Sequence, residues 1–228
     1  MKKFYDHATV EYTNDGYTIL LDGRGLQTPS HKTFCVPSLA LAEAIAEEWN
    51  AQGDIIIPQS MPVYSIAVTT VDKAVDAESR AMIEEEITPY IDGDLLFYHA
   101  PEPPALIERQ KAHWGAAIHT LEKHINTPIL TTYQLQALQQ SPNYHESLRT
   151  YIKELDEWFF TLFQILVSLT GSPALSFLIL KNELTQDEVE HIIFLEDDFY
   201  IELCGDKHED QPVDLKDKRE RIVQDLSA

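Results

Sequence analysis

The sequence predicts an α+β chain, with a small antiparallel-sheet N-terminal domain over residues 1–60 and a larger all-helical C-terminal domain over 61–228. Three observations predict it. Two Asp-Gly pairs, Asp15-Gly16 and Asp22-Gly23, punctuate short extended runs near the start. After Asp54-Ile55-Ile56-Ile57-Pro58 the apolar spacing changes from two to between three and four. Beyond that point helical spacing continues nearly to the end.

Val10-Glu11-Tyr12 and the run Tyr17 to Leu21 flank Asn14-Asp15-Gly16, and glycine supplies the positive φ that a two-residue primed turn requires. Leu20-Leu21-Asp22-Gly23-Arg24-Gly25 repeats the signal, and Thr33-Phe34-Cys35-Val36 adds a further extended run. Pro37-Ser38 then opens a helix. Leu39, Ala42, Ile45, Ala46 and Trp49 share one face, Glu43, Glu47 and Glu48 face away, and Gly53 is placed to cap the end.

In the second domain the pattern predicts helices over residues 63–75, 77–88, 105–124, 144–158, 159–169, 174–181, 186–203 and 213–226. Thr185 with Glu188 forms a capping box at the start of the seventh. Pro128-Ile129-Leu130-Thr131-Thr132-Tyr133 is the exception, an extended run that could return to the first sheet. The stretch from Trp158 to Leu180 is apolar on all sides and reads as a core hairpin of two helices, or as surface lent to an unassembled partner.

Composition bounds the function. With 38 acidic against 17 basic residues the formal net charge is −21, a field that repels phosphate backbones and anionic lipid surfaces. Nucleic acid and membrane partners are therefore not expected. From Lys181 onward 15 acidic residues stand against 6 basic ones, which is either a solubility device or an acidic face for a protein partner. Met1 to His7 lacks the apolar run of a signal peptide, and the longest apolar stretches are too short to span a bilayer. A soluble cytoplasmic monomer is expected. Cys35 and Cys204 have no metal or redox spacing and read as reduced, buried, inert thiols.

Every standard enzyme motif that a single sequence can test is absent, while paired carboxylates, whose spacing the fold sets, stay open. Gly23-Arg24-Gly25 is too short for a dinucleotide fingerprint, and neither a phosphate loop nor a Gly-x-Ser-x-Gly elbow occurs. Gly171-Ser172-Pro173 reads as a helix break followed by proline in a first turn. His113, His119 and His124 share one predicted helix, but gaps of six and five do not stack ligands as a gap of four does. Glu84-Glu85-Glu86 and Glu196-Asp197-Asp198 diverge around a helix axis without a calcium-loop glycine. No enzyme, cofactor or metal site is expected from these motifs. Two alternatives stay open: a metal-dependent hydrolase using an acidic cluster, and an acidic adaptor for a basic partner.

The chain carries Phe4-Tyr5, Leu21-Asp22-Gly23-Arg24-x-Leu26-x-Thr28-Pro29 and Ala46-Glu47-Glu48-Trp49-x-x-Gln52-Gly53. Further on come Met61-Pro62, Asp94-Leu95-Leu96-x-Tyr98, Arg109-Gln110 with Trp114, Thr170-Gly171-Ser172, and Glu202-x-x-Gly205. Together these motifs resemble the Atp-twelve family, assembly chaperones of F-type ATP synthase that hold the alpha subunit of the catalytic head. Cys204-Gly205 departs from the family's usual Trp-Gly, as does Phe97-Tyr98-His99 from Cys-Tyr-Arg. The resemblance implies a two-domain, non-catalytic chaperone whose client is the alpha subunit. Client contact is expected, as a reading of the acidic helix and not of the family motifs, through Glu196, Asp197, Asp198 and Glu202 with Asp206, and Asp22, Gly23, Arg24 and Trp49 read as structural signature residues. Trp49 reads as a core-closing residue and Arg24 as a partner for a nearby carboxylate or carbonyl.

Overall fold

In the computed structural model β1 (Ala8–Thr13) and β2 (Gly16–Leu21) form an antiparallel hairpin in which Thr13 faces Gly16 and Tyr12 faces Tyr17. The structure describes residues 1–74, 76–204, 219, 222 and 223. Gly16 sits at φ 120°, and a Cβ there would meet the Val36 carbonyl oxygen at 2.5 Å. Only glycine fits that turn. Asp22 and Gly23, at φ 48° and 79°, make the two-residue primed turn into β3 (Arg24–Gly25), with Leu21 opposite Arg24. The sheet order is β1-β2-β3. Thr33 to Val36 adds bridges, Gln27 to Thr33 and Tyr17 to Val36, rather than a full strand.

Helix α1 (Leu39–Asn50) packs on β1 and β2 through buried Ala42, Ile45, Ala46 and Trp49. Ser38 caps its start by accepting from the Leu41 N–H at 3.2 Å. Its end differs from expectation: Gly53 takes no left-handed conformation, and right-handed Ala51 donates to the Glu47 carbonyl at 2.9 Å. Gln52 supplies the stop, its Nε2 donating to the Glu48 carbonyl at 3.0 Å and its Oε1 accepting from the Ile57 N–H at 2.8 Å.

Glu48 does not simply face solvent. Its half-buried carboxylate accepts from the Val63 and Tyr64 N–H groups, both at 2.8 Å, capping α2 (Pro62–Thr69) from the neighbouring helix. Burial pushes its pKa up despite those two donors. The helix expected over 63–75 stays α-helical to Thr69 and continues as a π-turn over Thr70–Ala74. Residue 75 lies outside the described residues. The chain divides into two compact units, Met1–Met82 and Ile83–Ser227. The sequence-based boundary near residue 60 marks the change of periodicity, whereas this division falls within α3 (Ala77–Ile87), because Glu48 ties α2 to α1.

The second unit carries α4 (Pro104–Ile125), α5 (Pro142–Glu154), α6 (Glu157–Thr170), α7 (Pro173–Leu180), α8 (Gln186–Ile193) and α9 (Leu195–Cys204). Helices α6 and α7 form the expected hairpin around left-handed Gly171, whose N–H donates to the Val167 carbonyl at 2.9 Å. Phe160, Phe163, Leu175 and Leu178 are fully buried there. The junction expected at Trp158/Phe159 lies earlier, because Asp156 caps α6 by accepting from both of those N–H groups. The single helix expected over 186–203 divides at Phe194, while its Thr185–Glu188 capping box is present.

The extended run 128–133 pairs inside the second unit and not with the first sheet. Thr132 exchanges 2.8 Å backbone bonds with Phe97 and His99. Of the helix expected over 213–226, only Arg219, Ile222 and Val223 are described, all helical. Among the described residues no helix is long and apolar enough to cross a membrane. Cys35 is free and half-buried rather than buried, and the Cys204 side chain lies outside the description.

Candidate client-binding surface

The signature residues of the first unit serve the fold. Asp22 is more than a turn residue: its exposed carboxylate accepts from the Asp6 and His7 N–H groups at 2.9 and 3.0 Å, while its own N–H donates to the His7 carbonyl at 3.0 Å. The His7 and then the Asp6 N–H hold its carboxyl below the ordinary value. Trp49 is buried, its ring edge-on to Tyr5 at 5.6 Å and to Tyr64 at 5.0 Å. Arg24 departs from expectation. It lies exposed on β3 and, among the described residues, makes no hydrogen bond or ion pair; its charge reaches Asp22 beside it.

In the second unit several sequence blocks converge. Asp94, fully buried, accepts from the Ser172 hydroxyl at 2.6 Å, the Ala174 N–H at 2.8 Å and the Leu96 N–H at 3.0 Å. It therefore sits at the N-terminus of α7, where backbone donors favour a carboxylate. Burial outweighs them and raises its pKa to about 6. Buried Gln110 links two segments, accepting from the Ala100 N–H at 2.9 Å and donating to Glu196 at 2.6 Å. Four residues on, Trp114 donates to the Ile192 carbonyl at 3.0 Å.

The acidic helix α9 is thus docked on α4. Glu196, half-buried, takes the Gln110 bond, and burial raises its pKa. Asp198 accepts both of its bonds from Arg219 at 2.8 Å, and that guanidinium lies 4.4 Å from the Phe194 ring centre. Glu202 pairs with Arg109, which also lies over Phe199 at 5.2 Å. Asp197 alone of the four makes no hydrogen bond or ion pair among the described residues, and Asp206 lies outside them. The helix does not offer a row of free carboxylates, as the sequence suggested. It offers Tyr200 and Leu203, exposed at 47% and 66%, beside charges already tied down.

Comparison with known proteins places this geometry. The family model described as ATP12 chaperone protein matches residues 2–122, more than half of the chain. The chain belongs to the ATP12 chaperone family. A mitochondrial atp12 protein from Schizosaccharomyces pombe is 27% identical over 95% of this chain and 79% of its own length. The crystal structure of Atp12 from Paracoccus denitrificans superimposes with a TM-score of 0.87 at 25% identity, covering 99% of this chain and 94% of that one. A candidate chaperone from Agrobacterium tumefaciens also gives 0.87, at 28% identity, covering 99% of this chain and 83% of its own.

Within this ATP12 chaperone, the family-model match ends inside α4, so α5 to α9 and the acidic helix lie beyond it. Among the described residues no three His, Cys, Asp or Glu groups converge as a metal site. What sequence reasoning missed is the role of Arg109 and Gln110 in holding α9, and the buried state of Asp94. A lone aspartate opening the apolar run Leu95-Leu96-Phe97 was the available signal for the latter.

Proposed function

We propose that this ATP12-family chaperone serves assembly of F-type ATP synthase by holding the unassembled alpha subunit of the catalytic head. One observation supports the surface: α9 presents exposed Tyr200 and Leu203 next to Asp197 and the tethered Glu196, Asp198 and Glu202. Apolar side chains rimmed by charge suit reversible burial, with charge setting encounter and partner choice. On this reading the protein is a cytosolic, non-enzymatic monomer that binds its client one to one. The metal-dependent hydrolase reading loses support because Glu196, Asp198 and Glu202 are engaged by Gln110, Arg219 and Arg109.

Light scattering of isolated alpha subunit with and without the purified chain tests the proposal. Stoichiometric suppression of aggregation without ATP is the expected result. Identical aggregation in both samples would overturn it, and recovery of a different basic protein from the source cell would favour an adaptor.

A further inference from the structure

We propose that His113 and His191 form a transition-metal site on the exposed seam between α4 and α8, taking an imidazole-seeking divalent ion of the zinc, nickel or copper class. The two residues lie 78 positions apart, and the fold brings their Nε2 atoms to 3.3 Å. Two imidazole nitrogens bound at about 2.0–2.1 Å to one tetrahedral zinc stand about 3.3–3.4 Å apart. The rings lie 4.2 Å apart between centres and at 67° to each other. In the present orientation the two lone pairs do not point at one common position, and binding requires a turn about χ2, which lies in a broad well for histidine.

The surroundings suit a cation. His113 and His191 line a cavity of about 460 Å³ together with Asp187, while the Glu188 carboxylate beside it is held by the Thr185 N–H and hydroxyl. Asp187 is one helical turn before His191 on the same face of α8, so its carboxylate rims the approach. Among the described residues no third His, Cys, Asp or Glu completes the set, so water fills the other positions and the ion exchanges readily. The spacing of His113, His119 and His124 along one helix hid this pair, because its second member comes from another helix.

Such an ion would clamp α8 to α4, the helix that holds α9 through Arg109 and Gln110. The test is calorimetric titration of the full chain, stripped with chelator, using zinc or nickel chloride alone, with thermal unfolding in parallel. One ion per chain is expected, with a rise in Tm on saturation. His113→Ala and His191→Ala should each weaken binding by at least about tenfold, while His119→Ala, an exposed histidine on the same helix, should leave it unchanged. The proposal is overturned if no saturable binding occurs, leaving a plain imidazole contact, or if either site variant binds like the unaltered chain. Circular dichroism confirms that each variant is folded before it is titrated.

Discussion

The Ser172 hydroxyl donates to the buried Asp94 carboxylate at 2.6 Å across 78 residues of sequence. That bond joins the Asp94-Leu95-Leu96 segment to the Thr170-Gly171-Ser172 break, and the Leu95 N–H donates to the Gly171 carbonyl at 3.3 Å beside it. A charged group fully out of water persists only with such a set of donors.

Asp94 gives the fold a pH dependence of unusual sign. Its pKa is about 6 in the folded chain against an ordinary 3.8, so between those values the folded state holds a proton that the unfolded state lacks. Its contribution is therefore favourable at acid pH and is lost as pH rises through about 6, an effect of order 3 kcal/mol. Asp22 and Glu188, with lowered values, act in the opposite sense and lose stabilisation as pH falls below the ordinary carboxylate range. Urea unfolding from pH 4 to 7 should show the Asp94 slope, and Asp94→Asn should lack it. A variant with the same slope as the unaltered chain would refute the assignment.

Trp49→Ala should lower stability by about 3–5 kcal/mol, since it empties the space between Tyr5 and Tyr64. Trp49→Phe should cost less, because the indole Nε1 has no hydrogen-bond partner among the described residues. Chemical denaturation reads both. Client affinity per folded molecule should be retained.

Gly16→Ala should cost about 1–3 kcal/mol, because its Cβ collides with the Val36 carbonyl and φ is 120°. Gly25→Ala, with open space at its Cβ, should change stability by less than about 0.5 kcal/mol. Equal melting temperatures for the two variants would contradict this.

Tyr200→Asp and Leu203→Asp should reduce capture of the alpha subunit by about tenfold or more while leaving stability nearly unchanged, as both side chains are exposed. Glu202→Gln removes a solvent-exposed pair with Arg109 and should leave the melting temperature nearly unchanged. Surface plasmon resonance with parallel melting curves separates contact from folding.

The association rate should fall as ionic strength rises toward about 0.1 M, where the screening length is about 10 Å. A stopped-flow rate that ignores salt would reduce the acidic bias to solubility.

Much of the first unit was legible in the chain. Asp22-Gly23 and the Gly16 turn follow from backbone conformations available to few residues, and the α1 stripe from the 3.6-residue period. Several ends were misread where a side chain rather than a glycine or periodicity decides. Gln52 ends α1, Asp156 restarts the chain as α6, and Glu48 starts α2 from a different helix.

Local order thus determined the element types, the sheet hairpins, the helical second part and the family motifs, because turn chemistry and amphipathic periodicity act within a few residues. Which polar groups meet was decided by packing. Arg109 meets Glu202 across 93 residues, and Ser172 meets Asp94 and His191 meets His113 across 78. A carboxylate on a predicted helix looks the same whether it faces solvent or a guanidinium, since periodicity specifies a face and only the neighbouring helix specifies the partner. The acidic helix therefore read as free charge and proved to be a tethered one that exposes Tyr200 and Leu203.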